Sequence, residues 1–327
     1  MEKKENIIYT DLSSEEVYSW KYLLKNLNLQ KINSQFESFK TSCLSYQTTF
    51  KRIEDNVNSL FNIDYSGQSF FPHFKHSITS DRGNINNPYY FFRIRKIEKR
   101  YSSDRNNLNI LLPETLEFED IQTLSDVWER PANQVKHYQR LSKPLNSVLY
   151  TSLMTSTAIL ETNINEKDLF FLIVYKSKKE FKYSDCCNFV YYNNLSEDEN
   201  MKRYTIFHLL RSEFTRVLPN GYNYENQYCA AESISKKFFI SDNVDGIQYP
   251  STKGLGHNNF AFWSNTARDC LDFIGLRCCI MGNKNKLSIY ADCFWNDSLL
   301  KFEYYSPQSE RSKLVFGNPL LNTFISK

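Results

Sequence analysis

Eight side chains, Phe36, Phe39, Cys43, Tyr46, Phe50, Ile53, Val57 and Leu60, recur at alternating three- and four-residue steps without a break. A helix turning every 3.6 residues keeps such positions on one face, whereas a strand scatters them over both. The spacing therefore predicts one long helix with a continuous apolar stripe. Two kinds of occupant fit that stripe: the rest of its own domain, or a coiled-coil-like seam for a partner or for a second copy of the chain, forming a homodimer through the N-terminal helices. Its aromatic content favours packing within the domain, because tight coiled coils select aliphatic knobs. A shorter helix precedes it. Ser13 and Glu16 stand at capping-box spacing ahead of Val17, Trp20, Leu23 and Leu24, which starts a helix near Ser14. From Asp64 to Pro88 the chain is polar and irregular, with Gly67, Pro72, Gly83 and Pro88. Residues 1–88 thus read as an N-terminal helical extension ending in a linker or substrate-facing loop. His73 and His76 lie there three apart, and two histidines without a third ligand do not make a metal site.

Beyond residue 88 the period changes. Tyr89 to Arg95 and Ser147 to Leu153 read as strands, Thr155 to Thr162 as a short helix, and Leu169 to Tyr175 as a buried strand. Helices are expected from about Lys202 to Leu218, stopped by Pro219-Asn220-Gly221, and from about Glu225 to Phe239. Gly246 to Tyr249 and Asn259 to Trp263 look like short strands flanking a glycine-bearing loop. Strand candidates continue from Leu271 and include Leu287 to Phe294 and Leu300 to Tyr305. The mixture indicates an α+β fold, with residues 89–265 as the main domain and 266–327 adding strands that complete its sheet.

Composition narrows the function classes. Hydrophobic residues form 41% of the 327, enough to bury a core in one large domain or two or three smaller ones. The 25 Phe and 22 Tyr sit in a chain generally biased toward Phe, Tyr, Asn, Lys and Ile, so they carry no stacking function by themselves. The net charge is only +3, with Lys, Arg, Asp and Glu interspersed, and the densest basic run, Arg93 to Arg100, abuts an aromatic strand. That arrangement suits one anion site better than a nucleic-acid surface, for which no helix-turn-helix, zinc or aromatic RNA-binding signature exists either. No window approaches the ~20 apolar residues of a membrane span, and the start of the chain lacks a signal pattern. Eight cysteines include two vicinal pairs and no CxxC, which points to reduced thiols, a cytoplasmic protein and no zinc.

Four blocks then fall in a particular order. They are Tyr90-Phe91-Phe92-Arg93-Ile94-Arg95; Arg140-Leu141-Ser142-Lys143-Pro144 leading to Val148-Leu149-Tyr150-Thr151-Ser152; Thr155-Ser156-Thr157-Ala158-Ile159-Leu160-Glu161; and Asp245-Gly246-Ile247-Gln248-Tyr249-Pro250-Ser251 followed by Asn258-Asn259-Phe260-Ala261-Phe262. This sequence of blocks resembles the RES-domain family, named for an arginine, a glutamate and a serine in that chain order. The resemblance covers about Tyr89 to Trp263. It implies an ADP-ribosyltransferase-like mixed sheet with flanking helices and an enzyme that degrades NAD, with NAD as substrate and no separate cofactor. Many members are toxins restrained by an antitoxin, so a regulatory partner is implied too.

Residue by residue, the resemblance assigns catalytic roles to Arg93, Tyr150, Glu161 and Ser251, and substrate contacts to Arg95, Arg140 and Asn259. The chemistry is coherent. Cleavage of the nicotinamide–ribose bond builds positive charge on the sugar, which a carboxylate such as Glu161 stabilises. Guanidinium groups hold pyrophosphate oxygens in bidentate fashion, and Arg93 and Arg95, two apart on one strand, share a face. Tyr150 can stack on the nicotinamide or the ribose. Ser251 can bond the substrate or orient Glu161; without a GxSxG elbow it is not read as a nucleophile. The Arg140 loop departs from the family pattern, with Gln139 for a glycine, Ser142 for an asparagine, and Leu145-Asn146 where a glycine is usual. His257 is a candidate proton shuttle or a structural loop residue, His208 reads as packed, and His137 carries little information. The rival readings are ADP-ribosyl transfer to a macromolecule and a non-catalytic module that binds NAD or ADP-ribose.

Overall fold

The computed structural model describes residues 8–44, 47–65, 68–70, 72–80, 88–97, 121–218, 223–254, 256–283 and 286–317. It is an α+β protein whose chain crosses five times between two compact units. The first comprises Met1–Thr79, Pro131–Ser147 and Lys182–Thr252; the second comprises Ser80–Arg130, Val148–Phe181 and Lys253–Lys327. The expected boundaries at residues 88 and 265 are therefore not where the units divide. The N-terminal helices are not an appendage: they share a core with the two long helices of residues 197–234.

In the first unit, β1 (Ile8–Thr10) pairs in parallel with β9 (Val190–Tyr192). The helix α1 (Ser14–Asn26) begins where expected, on the reciprocal capping box of Ser13 and Glu16. The long helix predicted over residues 36–60 is two: α2 (Leu29–Leu44) and α3 (Phe50–Ser59). Side-chain chemistry explains the break. The Thr48 hydroxyl donates to the Ser42 carbonyl, and Thr49 caps α3 by accepting from the Arg52 N–H. The stripe survives the break. Phe36, Phe39, Cys43, Ile53, Val57 and Leu60 are all at most 5% exposed, covered by α5 (Glu197–Thr215) and α6 (Tyr224–Ile234). Those six positions are thus filled within the chain; Phe50 is half-buried, and Tyr46 lies outside the described residues. Helix α5 starts five residues earlier than expected, because Ser196 and Glu199 form a second capping box and three acids follow the cap. Helix α6 runs into a π-helical turn, Ser235–Phe239. A hairpin of β2 (Ile63–Tyr65) and β3 (Gln68–Phe70) and a three-strand group complete the unit. In that group β8 (Lys182–Asp185) pairs in parallel with β10 (Gly246–Pro250) and antiparallel with β4 (Ser77–Thr79).

The second unit is an antiparallel sheet. Its strands are β5 (Tyr90–Lys96), β6 (Val148–Ser152), β7 (Leu169–Ser177), β11 (Asn258–Trp263), β12 (Leu271–Met281), β13 (Leu287–Asn296) and β14 (Lys301–Tyr305). They lie in the order β14-β13-β12-β7-β5-β6-β11, so the C-terminal strands do extend this sheet. Strand β7 is buried on both faces, which is why it reads as a continuous apolar run. At the β12 irregularity, a Cβ on Gly275 would stand 2.9 Å from the Phe294 ring, so only glycine fits there.

The two faces of this sheet are chemically distinct. Phe92, Ile94, Phe170, Leu172 and Val174 pack on one face with Ala158 of α4 (Thr155–Glu161) and Phe316 of α8 (Glu310–Phe316). On the other, Phe91, Phe181, Phe260 and Phe262 meet edge to face. The remaining helix, α7 (Ser264–Cys270), joins β11 to β12. All eight cysteines are free and buried.

Candidate functional site

The face of the second unit covered by α4 brings three of the expected residues together. Strand register sets the arrangement. Ser152 of β6 lies opposite both Phe92 of β5 and Asn259 of β11, and Tyr150 lies opposite Ala261. Residues two apart on a strand share a face, so Tyr150, Ser152, Asn259 and Ala261 all look toward the side of Phe92, where α4 packs.

Glu161 is the last residue of α4. Its Oε1 accepts from Asn259 Nδ2 at 2.9 Å, and Asn259 Oδ1 accepts from Ser152 Oγ at 2.7 Å. Ser152 and Asn259 are each 4% exposed, while Glu161 is half-buried. The result is a directed relay, with two buried polar groups ordering one carboxylate that reaches solvent. A buried amide satisfied at both ends has little freedom to turn, so it fixes the carboxylate plane.

A second rung ties α4 to the same strand. Thr157 Oγ1 and His257 Nδ1 are 2.7 Å apart. Thr157 and Glu161 are one helical turn apart, and His257 and Asn259 are one strand repeat apart, so the rungs lie side by side. The loop leading into β11 turns on Gly254 (φ 145°) and Gly256 (φ 82°), and its Lys253 donates to Asn163 Oδ1 at 2.7 Å, two residues past Glu161.

Arg93 and Arg95 share a face as expected, and it is the other one. Arg93 Nη1 donates to the carbonyls of Val127, at 3.1 Å, and of Trp128. Arg95 Nη1 donates to the carbonyl of Asp126 at 3.1 Å. The buried Tyr175 hydroxyl also donates to Val127, and burial pushes its phenol up to about 12, with the Arg93 charge opposing. The two guanidinium groups thus gather the carbonyls at the end of a 3₁₀ turn, Leu124–Val127. The structure does not bring them to Glu161.

Arg140 and Ser251 belong to the first unit. Arg140 donates to the Phe214 carbonyl near the end of α5, and its guanidinium lies 5.5 Å from the centre of the Tyr228 ring. Leu145, where the family pattern has a glycine, adopts φ 66°, a conformation that normally favours glycine. Ser251 is buried directly after β10. His208 is packed against Tyr204 and Phe207, and exposed His137 meets Glu225.

Sequence reasoning missed Ser152, Thr157 and Lys253. Alternation along β6 places Ser152 with Tyr150, and that signal was available. The pairing of Thr157 with His257 needed the register of β11 against α4, which no local pattern encodes. No cluster of three or more metal-ligating side chains occurs among the described residues, and no described helix is long and apolar enough to cross a membrane. No family model, curated protein or solved structure matches the chain.

Proposed function

We propose that the chain is an NAD-degrading enzyme that cleaves the nicotinamide–ribose bond, with Glu161 as the carboxylate facing the sugar. The observation that carries the reading is the Ser152–Asn259–Glu161 relay, which orders a single half-exposed carboxylate on the sheet face that also carries the half-buried Tyr150. The blocks that resemble the RES family supply that carboxylate, the tyrosine and the asparagine. On this reading the antiparallel sheet of the second unit is the ADP-ribosyltransferase-like element, and a toxin or cell-defence role with a restraining partner follows from the same resemblance.

In the proposed reaction the C1″–N bond breaks and its electron pair leaves with neutral nicotinamide. Glu161 stabilises the oxocarbenium character left on the ribose. Tyr150 offers a ring for the nicotinamide or the ribose to stack on. Water adds through its oxygen and loses a proton, giving ADP-ribose; phosphate in its place gives ADP-ribose 1″-phosphate. Arg93 and Arg95 take no part on the α4 face. Lys253, tied to the residue two past Glu161, is the cation assigned to the pyrophosphate.

The placement of the two arginines favours one other reading, a module that binds NAD or ADP-ribose without turning it over. Resolving the products formed from NAD by the full chain decides between them. Free nicotinamide together with ADP-ribose or its 1″-phosphate supports cleavage. Label fixed on a macromolecule indicates transfer. Saturable binding with NAD intact contradicts the proposed activity.

A further inference from the structure

The helix pair α2–α3 carries a groove that has no part in the chemistry above. It encloses about 490 Å³, within the roughly 300–1,000 Å³ range of small-molecule sites. Its origin is legible in α2. While Phe36, Phe39 and Cys43 point into the core, Ser34, Ser38 and Ser42 recur every fourth residue beside α3, and side chains so small leave the seam unfilled.

The walls have a definite polarity. Ser34, Ser42 and Ser59 donate their hydroxyl protons to the carbonyls of Lys31, Phe39 and Asn56, so each turns lone pairs outward. Ser42 spends one of these on Asn56 Nδ2, at 3.0 Å across the seam. Gln35 also lines the groove, and its Oε1 atom is buried without a hydrogen-bond partner among the described residues, an acceptor left unsatisfied. These groups ask for a ligand rich in hydroxyl donors.

One charge faces them. Arg52 is the only charged residue lining the groove, and its guanidinium makes no ion pair or hydrogen bond among the described residues. The acids of α2 and α3 have other partners: Glu37 pairs with Lys40, Asp55 with Lys51, and Glu54 accepts from the Tyr138 hydroxyl. Arg52 is thus left to take an anion, and guanidinium groups hold phosphate oxygens in a planar fork. Inorganic phosphate would engage Arg52 and leave the acceptor wall unserved, and a neutral sugar would do the reverse.

We infer that the α2–α3 groove is a binding site for a phosphorylated sugar, with the phosphate on Arg52 and the sugar hydroxyls along Ser34, Ser59 and Gln35. Isothermal titration of the full chain with glucose 6-phosphate, glucose and inorganic phosphate tests it. The expected result is saturable binding of glucose 6-phosphate at least tenfold tighter than of either part alone. Arg52→Ala weakens it tenfold or more. So does Ser38→Leu, which fills the groove while keeping an exposed helical position in a strong helix former. Circular dichroism on each variant verifies the fold. Absence of saturable binding by the folded wild type overturns the site. Equal affinity for inorganic phosphate reduces it to a surface charge and overturns the sugar assignment. Unchanged binding in both variants places the ligand elsewhere and overturns the groove.

Discussion

Asn259 and Arg93 were both expected at the substrate, and their surroundings now separate them. Asn259 is bonded on both sides, to Ser152 and to Glu161. Replacing it with alanine leaves a half-ordered carboxylate and a buried serine hydroxyl without its acceptor. Asn259→Ala should lower kcat for NAD cleavage by roughly 10²-fold, the scale of a lost preorganising contact, with a smaller change in KM. A drop in KM affinity with kcat intact would show that Asn259 holds substrate and not Glu161. Arg93 gathers backbone carbonyls on the opposite face. Arg93→Ala should therefore lower stability in urea by about 1–3 kcal/mol through unsatisfied carbonyls and leave KM for NAD within about twofold. A KM raised tenfold in a stable variant would return Arg93 to the pyrophosphate. The sequence placed Arg93 and Arg95 on one face correctly. Which face could be read only from the pairing of Phe92 with Ser152 across β5 and β6.

Among the elements, α5 carries an acid that no sequence pattern flagged. Glu213 is fully buried, and its contact with Arg216 at 2.6 Å is an ion pair without hydrogen-bond alignment. Burial raises its carboxyl from 4.5 to about 7, opposed by Arg216 and then Lys40, while Glu37 adds to the rise. A folded carboxyl raised above its unfolded value binds the extra proton in the native state. Its stabilising contribution is complete below about pH 4.5 and is lost as pH rises through about 7. Glu213→Gln should flatten the pH dependence of the urea midpoint between those limits, and an unaltered pH profile would contradict it. The element boundaries show what was and was not legible. The Ser13–Glu16 capping box predicted α1, and the same Ser-x-x-Glu signature at Ser196 and Glu199 marks the true start of α5. The α2–α3 break was hidden because the apolar stripe keeps its phase across Thr48 and Thr49, so periodicity alone registered no interruption.

For the molecule as a whole, the sequence supplied a sound list of strands and helices, while the two compact units divide at other points than residues 88 and 265. Local patterns are blind to a chain that returns twice to the same core. Residues 182–252 follow the strand run in sequence, yet their helices bury the stripe of α2 and α3. Removing residues 1–88 should therefore unfold the first unit by exposing Ile206, Leu210 and Phe214. Limited proteolysis of the truncated chain is expected to cut within 197–239, and a protease-resistant, fully helical product would contradict the shared core. Of the expected site residues, Tyr150, Glu161 and Asn259 belong to the second unit and lie on one face. Ser251 and Arg140 belong to the other.

The most direct measurement of the central claim compares nicotinamide release from NAD by the wild-type chain and by Glu161→Gln under single-turnover conditions. Glutamine keeps the shape and the Asn259 contact while removing the charge that stabilises the sugar cation. The account predicts release by the wild type and a loss of about 10³-fold or more in the variant, with unchanged circular dichroism. Equal release by both proteins, or none from folded wild type at stoichiometric NAD, would contradict it.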